Sequence, residues 1–245
     1  MQNIIIFGGS GLIGSSIKKL FLASKYKVIN IDIKDDNSEH PNLIFLKHDL
    51  SLISSVEQIF ILVEDYMEDC AALINCTLLK YPEFNVSKFS KSDLLESCSS
   101  LLALDFLISS MAVNYAMYNS TKSYLSVILI SSVKGINPPK FRHYKNISGM
   151  SSSPFYGCMK AASIMLIKHF ASAYRDLGIT FNAIAPGGIE GEKHSELFLA
   201  QYRQSTSNIG LIDPNNIAVT AKYIVDSGPS LNGTTICVDS GWSCD

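Results

Sequence analysis

The sequence predicts an α/β protein: a single domain on a doubly wound parallel sheet of about seven strands, with helices on both faces. Two observations carry this expectation. The first thirty-three residues read strand, glycine-rich loop, helix, strand. From there to the last residues, short β-branched and aliphatic runs alternate with longer segments of helical periodicity, and no internal repeat or low-complexity linker interrupts them. At 245 residues, 47% hydrophobic and 17% charged, the chain is long enough for one large domain with a deep core.

The first strand is 3–7, a continuous run around Ile4-Ile5-Ile6-Phe7 that suits burial on both faces. Gly8-Gly9-Ser10-Gly11-Leu12-Ile13-Gly14 follows and opens a helix over 12–23, with Leu12, Ile13, Ile17, Leu20 and Phe21 on one side. A second strand covers 27–33. Glycines at 8, 11 and 14 permit a tight turn, close backbone approach and close helix–strand packing, and a helix N-terminus presents unpaired N–H groups to a pyrophosphate. A glycine-rich loop alone is often a simple turn. Its strand–loop–helix–strand setting makes Gly8, Ser10, Gly11, Leu12, Ile13 and Gly14 candidate dinucleotide-binding residues. Asp32 ends the second strand. A carboxylate there accepts hydrogen bonds from ribose hydroxyls and repels a 2′-phosphate, which favours NAD; the nearby Lys34 keeps NADP open.

A third strand, 43–47, ends in His48-Asp49-Leu50, and a helix over 51–66 follows, with Ser51 or Ser54 as its cap. The fourth strand, 71–75, ends in Asn75-Cys76-Thr77. Residues 80–91 read as a polar loop, and 93–120 hold one or two helices, including the apolar run 101–117. The fifth strand, 124–130, leads into Ser131-Ser132. The connection 135–155 is long enough to be functional. It carries Pro138-Pro139, the run Ser151-Ser152-Ser153 and the basic residues Lys140, Arg142 and Lys145, which would either meet a phosphate or carboxylate or simply be solvated. After an apolar helix that includes 161–170 comes a sixth strand, 179–185, running into Pro186-Gly187-Gly188-Ile189. Residues 190–208 read as a polar loop. Asp213 caps and Pro214 starts a helix over 214–226, and a last strand, 234–238, precedes Asp239-Ser240-Gly241-Trp242.

Tyr156 and Lys160 stand at the start of the helix after the fifth strand. Residues four apart share a helix face. A free tyrosine, with a pKa near 10, is a poor proton carrier at neutral pH, and a neighbouring cation favours its phenolate. The pair is a candidate general acid/base. Tyr118 and Lys122 have the same spacing, so spacing alone does not choose between them. Ser132, at a strand's carboxyl end, can polarise a carbonyl where negative charge develops.

Other classes find little support. A net charge of −2 gives no basic field for nucleic acid. The apolar runs fall short of the roughly 20 residues that cross a membrane, and the apolar run at the N-terminus does not suit a secretory signal. The six cysteines have no metal-ligand spacing and read as reduced, mostly buried thiols of a cytoplasmic protein. No metal site is expected.

Taken in order, the Gly8/Gly11/Gly14 loop, Asp49-Leu50, Asn75, Ser132, Tyr156/Lys160, Asn182 through Gly188 and Gly233 through Trp242 resemble the short-chain dehydrogenase/reductase family over nearly the whole chain. The glycine spacing, the long 132-to-156 connection and the terminal Gly-Trp are similar to a bacterial subgroup associated with flagellin modification and surface-polysaccharide biosynthesis. The resemblance implies a Rossmann fold over 1–245, with 1–130 mainly the cofactor half and 131–245 the catalytic and substrate half. By the same resemblance Tyr156 exchanges a proton with the substrate, Lys160 binds the nicotinamide ribose and lowers the tyrosine pKa, and Ser132 binds the substrate oxygen. Asp49 and Leu50 lie near the adenine, Asn75 near the adenosine, and Pro186, Gly187, Gly188 and Ile189 near the nicotinamide. It also implies a homotetramer or homodimer built through the two long helices and the C-terminal segment, where Tyr115, Tyr118, Phe170 and Tyr174 fall either at the interface or in the core.

Two positions depart from the family pattern. Leu78 stands where the family has a glycine close to the cofactor. Asp105 aligns with the family's fourth catalytic residue, an Asn; an Asp keeps the shape but can carry a charge, and near Lys160 it could form an ion pair. The expected function is an NAD(P)-dependent oxidoreductase moving a hydride between nicotinamide and a secondary alcohol or ketone, on a small sugar-type or sugar-nucleotide substrate. The alternatives are a family member that binds the dinucleotide without efficient chemistry, and a sugar-nucleotide epimerase or dehydratase.

Overall fold

The computed structural model describes residues 1–36, 38–80, 82, 87–119, 124–144, 153–191, 194–207 and 209–244. Seven parallel strands form one sheet in the order β3-β2-β1-β4-β5-β6-β7. The strands are β1 Asn3–Phe7, β2 Lys27–Asp32, β3 Leu43–Lys47, β4 Cys70–Asn75, β5 Leu125–Ile130, β6 Ile179–Pro186 and β7 Thr235–Val238. The helices are α1 Leu12–Ala23, α2 Val56–Met67, α3 Lys91–Cys98, α4 Leu104–Tyr118, α5 Pro154–Ala173, α6 Glu196–Arg203 and α7 Pro214–Ser227. The chain winds outward through β2 and β3, then crosses back to place β4 on the other side of β1. That reversal opens a crevice beyond the carboxyl ends of β1 and β4.

Strand alternation sends successive side chains of β1 to opposite faces. Ile5 and Phe7 enter one apolar core with Ile59 and Val63 of α2, Ile108 and Met111 of α4 and Ile167 of α5. Ile4 and Ile6 enter the other with Ile17 and Phe21 of α1 and Ile217 and Ala221 of α7. Burial on both faces is why the central strands read as unbroken apolar runs.

Three local expectations change. Residues 51–66 are not one helix. The Asp49 carboxylate accepts from Ser51 N at 3.0 Å and starts a separate 3₁₀ turn, Leu50–Leu52. α2 begins afterwards, capped by Ser55, because Ser54 instead donates its N–H to Gln58 Oε1 at 2.8 Å. Residues 190–208 are not simply loop: α6 lies there, capped by Ser195, with Phe198 and Tyr202 buried against Val133 and Trp242. The cysteines are free but not mostly buried, since Cys158, Cys237 and Cys244 are exposed.

α3, a short π-helical stretch at Ser99–Ala103 and α4 form a continuous 28-residue helical run, Lys91–Tyr118, long and apolar enough by length and composition to cross a membrane. Here its buried side chains Leu104, Ile108, Met111 and Ala112 pack in the core beneath the sheet. Phe170 is buried among Tyr174, Phe106 and Phe181, which places Phe170 and Tyr174 with the core, and Tyr115 packs against the same core. Tyr118 is exposed.

Candidate active site

Because all strands run parallel, the residues following β1, β2, β4, β5 and β6 share one edge of the sheet. At the end of β1, Gly8 adopts a positive φ of 82° that disfavours a side chain. Its N–H donates to Ile31 O at 2.8 Å. A Cβ on Gly8 would lie 3.0 Å from Thr77 N, and one on Gly14 would lie 2.2 Å from Gly8 O. The loop is therefore a backbone cradle pressed between the turn after β4 and the first turn of α1. Gly11 caps α1 with no side-chain hydrogen bond, leaving the helix's first N–H groups for an anion. Leu12 and Ile13 begin that helix. This cradle fits the pyrophosphate of a dinucleotide.

Asp32 ends β2 and is buried; it accepts from Ser10 N at 2.9 Å and from Lys34 N at 3.0 Å. A carboxylate has further lone pairs for a ribose hydroxyl. The Lys34 side chain itself is exposed. Asp49 follows β3, held by the Ser51 contacts, which lower its pKa, while Leu50 beside it is buried. Behind the loop lies a cluster that sequence reasoning did not identify. Lys18 of α1, buried, contacts Asp36 at 2.5 Å, and Asn30 of β2 donates to the same carboxylate at 2.6 Å and to Ser10 Oγ at 3.0 Å. Burial opposes ionisation of Asp36, but hydrogen bonds from Lys18, Ser38 and Asn30 outweigh it and bring its pKa down to about 2. A lysine on the inner side of an amphipathic helix was the available signal.

On the far side of the crevice, α5 carries Tyr156 and Lys160 on one face. The Lys160 ammonium lies 6.0 Å from the centre of the Tyr156 ring and donates to Ile130 O at 2.8 Å, at the end of β5. Lys134 lies over the same ring at 5.8 Å. The two serines after β5 divide their tasks. Ser131 donates its hydroxyl to Lys160 O at 2.8 Å and pins the helix to the strand. Ser132 caps a short 3₁₀ turn, accepting from Lys134 N at 3.2 Å. Glycines allow this turn to press on α5: a Cβ on Gly135 would lie 2.6 Å from Lys160 C, and one on Gly157 2.8 Å from Lys134 O. Ser132, Tyr156 and Lys160 are thus held by one tight strand–turn–helix contact. Tyr118 ends α4, and Lys122 lies outside the described residues.

Pro186, Gly187, Gly188 and Ile189 leave β6 on the same edge. Gly187 N donates to Val238 O at 2.9 Å and Gly188 N to the Tyr202 hydroxyl at 2.6 Å. Ile189 bridges to Ile212. A Cβ on Gly188 would lie 2.7 Å from Leu211. Tyr202 thereby ties α6 to this loop.

The Asp105–Lys160 ion pair is not formed. Asp105, 4% exposed, accepts from Asn75 Nδ2 at 2.7 Å and lies 2.5 Å from Ser163 Oγ. Asn75 Oδ1 in turn accepts from Thr77 N at 3.1 Å and Thr77 Oγ1 at 2.7 Å. Burial pushes the Asp105 carboxyl above the usual carboxylate range, against the opposing pull of Lys160 and the two hydrogen bonds. Leu78 is 60% exposed. The basic loop residues are also committed. Lys140 donates to Trp242 O at 2.6 Å with its ammonium 4.6 Å over the Trp242 ring, and Arg142 donates to Ser205 at 2.8 Å. Lys145, Ser151 and Ser152 lie outside the described residues.

The sequence profile of the family described as short chain dehydrogenase matches residues 2–201. The chain belongs to this family. A post-translational flagellin modification protein A from Campylobacter coli is 28% identical over 260 aligned positions, covering 99% of each chain. Among solved structures, a short chain dehydrogenase from Leptospira borgpetersenii with bound NAD⁺ superposes with a TM-score of 0.85 at 21% identity, covering 99% of this chain and 92% of that one. A 4-hydroxyisoleucine dehydrogenase complexed with NADH gives 0.80 at 22% identity over the whole of both chains. ElxO with NADP bound gives 0.78 at 19% identity, covering 100% of this chain and 99% of that one. As a member of this family the chain is an oxidoreductase.

Proposed function

We propose that this short-chain dehydrogenase interconverts a secondary alcohol and a ketone on a sugar or sugar-nucleotide substrate, with NAD(H) preferred over NADP(H). The observation that carries the reading is the fixed Tyr156/Lys160 face of α5, joined to Ser132 across the glycine contacts and facing the same sheet edge as the glycine cradle. The dinucleotide, when bound, supplies or accepts the hydride. In the reducing direction Ser132 donates a hydrogen bond to the carbonyl oxygen, and the Tyr156 hydroxyl gives up its proton to it. Lys160 stabilises the phenolate left behind. In the oxidising direction the proton returns to Tyr156.

The preference for NAD rests on Asp32. Its carboxylate sits at the end of β2, where a 2′-phosphate would meet like charge. The sugar-type substrate is supported by the relative named for flagellin modification. The alternative of a binding protein without catalysis loses one of its motives, since Asp105 bonds to Asn75 and Ser163 and the Lys160 ammonium to Ile130 O.

The test is NADH oxidation against a panel of keto sugars and keto sugar nucleotides, and NAD⁺ reduction against the corresponding alcohols. Tyr156→Phe is expected to lower kcat by about 10²–10⁴-fold, the range of general acid–base catalysis, with NADH binding largely retained. Turnover that Tyr156→Phe leaves unchanged would remove the reading.

A further inference from the structure

We propose that Asp105 works un-ionised, as a positioning residue that ties the Tyr156/Lys160 helix to the turn after β4. Ser163 Oγ has two acceptors in reach, Met159 O at 3.2 Å and Asp105 Oδ2 at 2.5 Å, but only one proton to donate. An ionised Asp105 leaves one of those contacts without a hydrogen. With a proton on Oδ2, Asp105 donates to Ser163, Ser163 donates to Met159 O, and Asp105 Oδ1 still accepts from Asn75. Every contact then has its hydrogen. In this state the carboxylic acid offers one acceptor and one donor, the pattern a primary amide would offer at the same place.

The direct partners of Asp105, an amide and a hydroxyl, are neutral, and a buried charge needs a compensating partner in contact. Lys160 of α5 faces Asp105, and Lys160 in turn lies by the Tyr156 ring and acts, with Asp32 at the end of β2, on Cys76 in the turn after β4. Of these only Lys160 acts electrostatically on Asp105, and its ammonium is bonded to Ile130 O. Burial holds the Cys76 thiol neutral, with a pKa pushed up to about 12. Among the described residues no cation touches Asp105.

Ser163 lies one turn beyond Lys160 on α5, and Asn75 closes the Thr77 turn that abuts Gly8. The chain Ser163–Asp105–Asn75–Thr77 therefore links the helix bearing the acid/base pair to the wall of the cofactor cradle. Ionising Asp105 would draw the Ser163 hydrogen away from Met159 O and place a negative charge beside Lys160.

The kinetic consequence rests on the proposed roles of Tyr156 and Lys160, so the test has two independent readouts. Infrared difference spectra of the full chain, wild type minus Asp105→Asn at pH 7, are expected to show a protonated-carboxyl band. A band of ionised carboxylate instead would overturn the proposal whether or not a substrate is known. In turnover, Asp105→Ala is expected to lose about tenfold or more in kcat/KM and Asp105→Asn to recover most of that loss. The ratio of wild-type to Asp105→Asn activity should fall as pH rises. An Asn variant as impaired as the Ala variant, with a ratio flat in pH, would mean that the charge is needed and would also overturn the proposal. Failure of the Tyr156→Phe test leaves the infrared result standing on its own.

Discussion

Asp36 and Asp105 are both buried carboxyls beside the carboxyl-end edge of the sheet, and the fold treats them in opposite ways. Asp36, with its side chain 2% exposed, has the Lys18 ammonium at 2.5 Å and two further donors. Asp105, 4% exposed, has only an amide and a hydroxyl. Burial alone penalises the charge in both cases. A cation in contact reverses the outcome for Asp36, while one acting from beyond contact does not for Asp105. The contrast teaches that a cation in contact can outweigh burial, while one acting from beyond contact does not. The ion pair braces the glycine loop through Asn30 and Ser10. The neutral acid sits where it can shift hydrogen bonds without stranding a charge.

The sharpest way to break the comparison is to make Asp36 resemble Asp105. Lys18→Met leaves a buried carboxylate without its cation and is expected to destabilise the chain by about 3–5 kcal/mol in urea denaturation. Lys18→Met with Asp36→Leu should recover much of the loss, because an apolar pair of similar volume needs no compensating charge. A Lys18→Met variant within about 1 kcal/mol of wild type would show that the pair carries little weight.

The second prediction uses pH, where the two acids act with opposite sign. The pKa of Asp36 is depressed, so the stability it contributes is present above the ordinary carboxylate range and is lost as pH falls through about 2. For Asp105 the native value is raised. Once pH exceeds the ordinary carboxylate range, the unfolded chain releases this proton while the native chain keeps it. Native stability then falls by up to about 1.4 kcal/mol per pH unit and levels off only above the native pKa. Asp105→Asn carries no such dependence. The melting temperature of Asp105→Asn minus that of wild type should therefore grow between pH 5 and pH 8, measured by calorimetry in buffers of constant ionic strength. A difference independent of pH would show that Asp105 is ionised in the native state.

Much of this architecture was legible in the sequence, and the failures have a common physical cause. The strands were readable because burial on both faces forces continuous apolar runs, and the Gly8–Gly14 loop because few residues other than glycine tolerate its φ and its contacts. Ser132, Tyr156 and Lys160 were readable because chain order brings the end of β5 to the start of α5. What stayed hidden depends on partners distant in the chain. Lys18 and Asp36 are 18 residues apart, and Asp105 meets Asn75 and Ser163 from 30 and 58 residues away. Asp105 was visible as a departure from the family pattern, but its partner stayed open, since no spacing says whether it reaches a lysine or a serine. α6 escaped because its short amphipathic stretch lies in a polar segment and is fixed by tertiary contacts to Trp242 and Gly188.

The smallest expected effect comes from an ion pair with nearly the same contact distance and very different surroundings. Lys222 and Asp226 of α7 meet at 2.6 Å, as closely as Lys18 and Asp36 within a tenth of an ångström, but their side chains are 29% and 50% exposed. Water screens this pair, and its Lys-before-Asp order runs against the helix dipole. Lys222→Ala should therefore change stability by no more than about 0.5 kcal/mol, with the residual effect vanishing in high salt. The pairwise term is isolated by a double-mutant cycle with Asp226→Ala in urea denaturation. A coupling above about 1 kcal/mol would show that contact distance rather than burial sets the worth of these ion pairs.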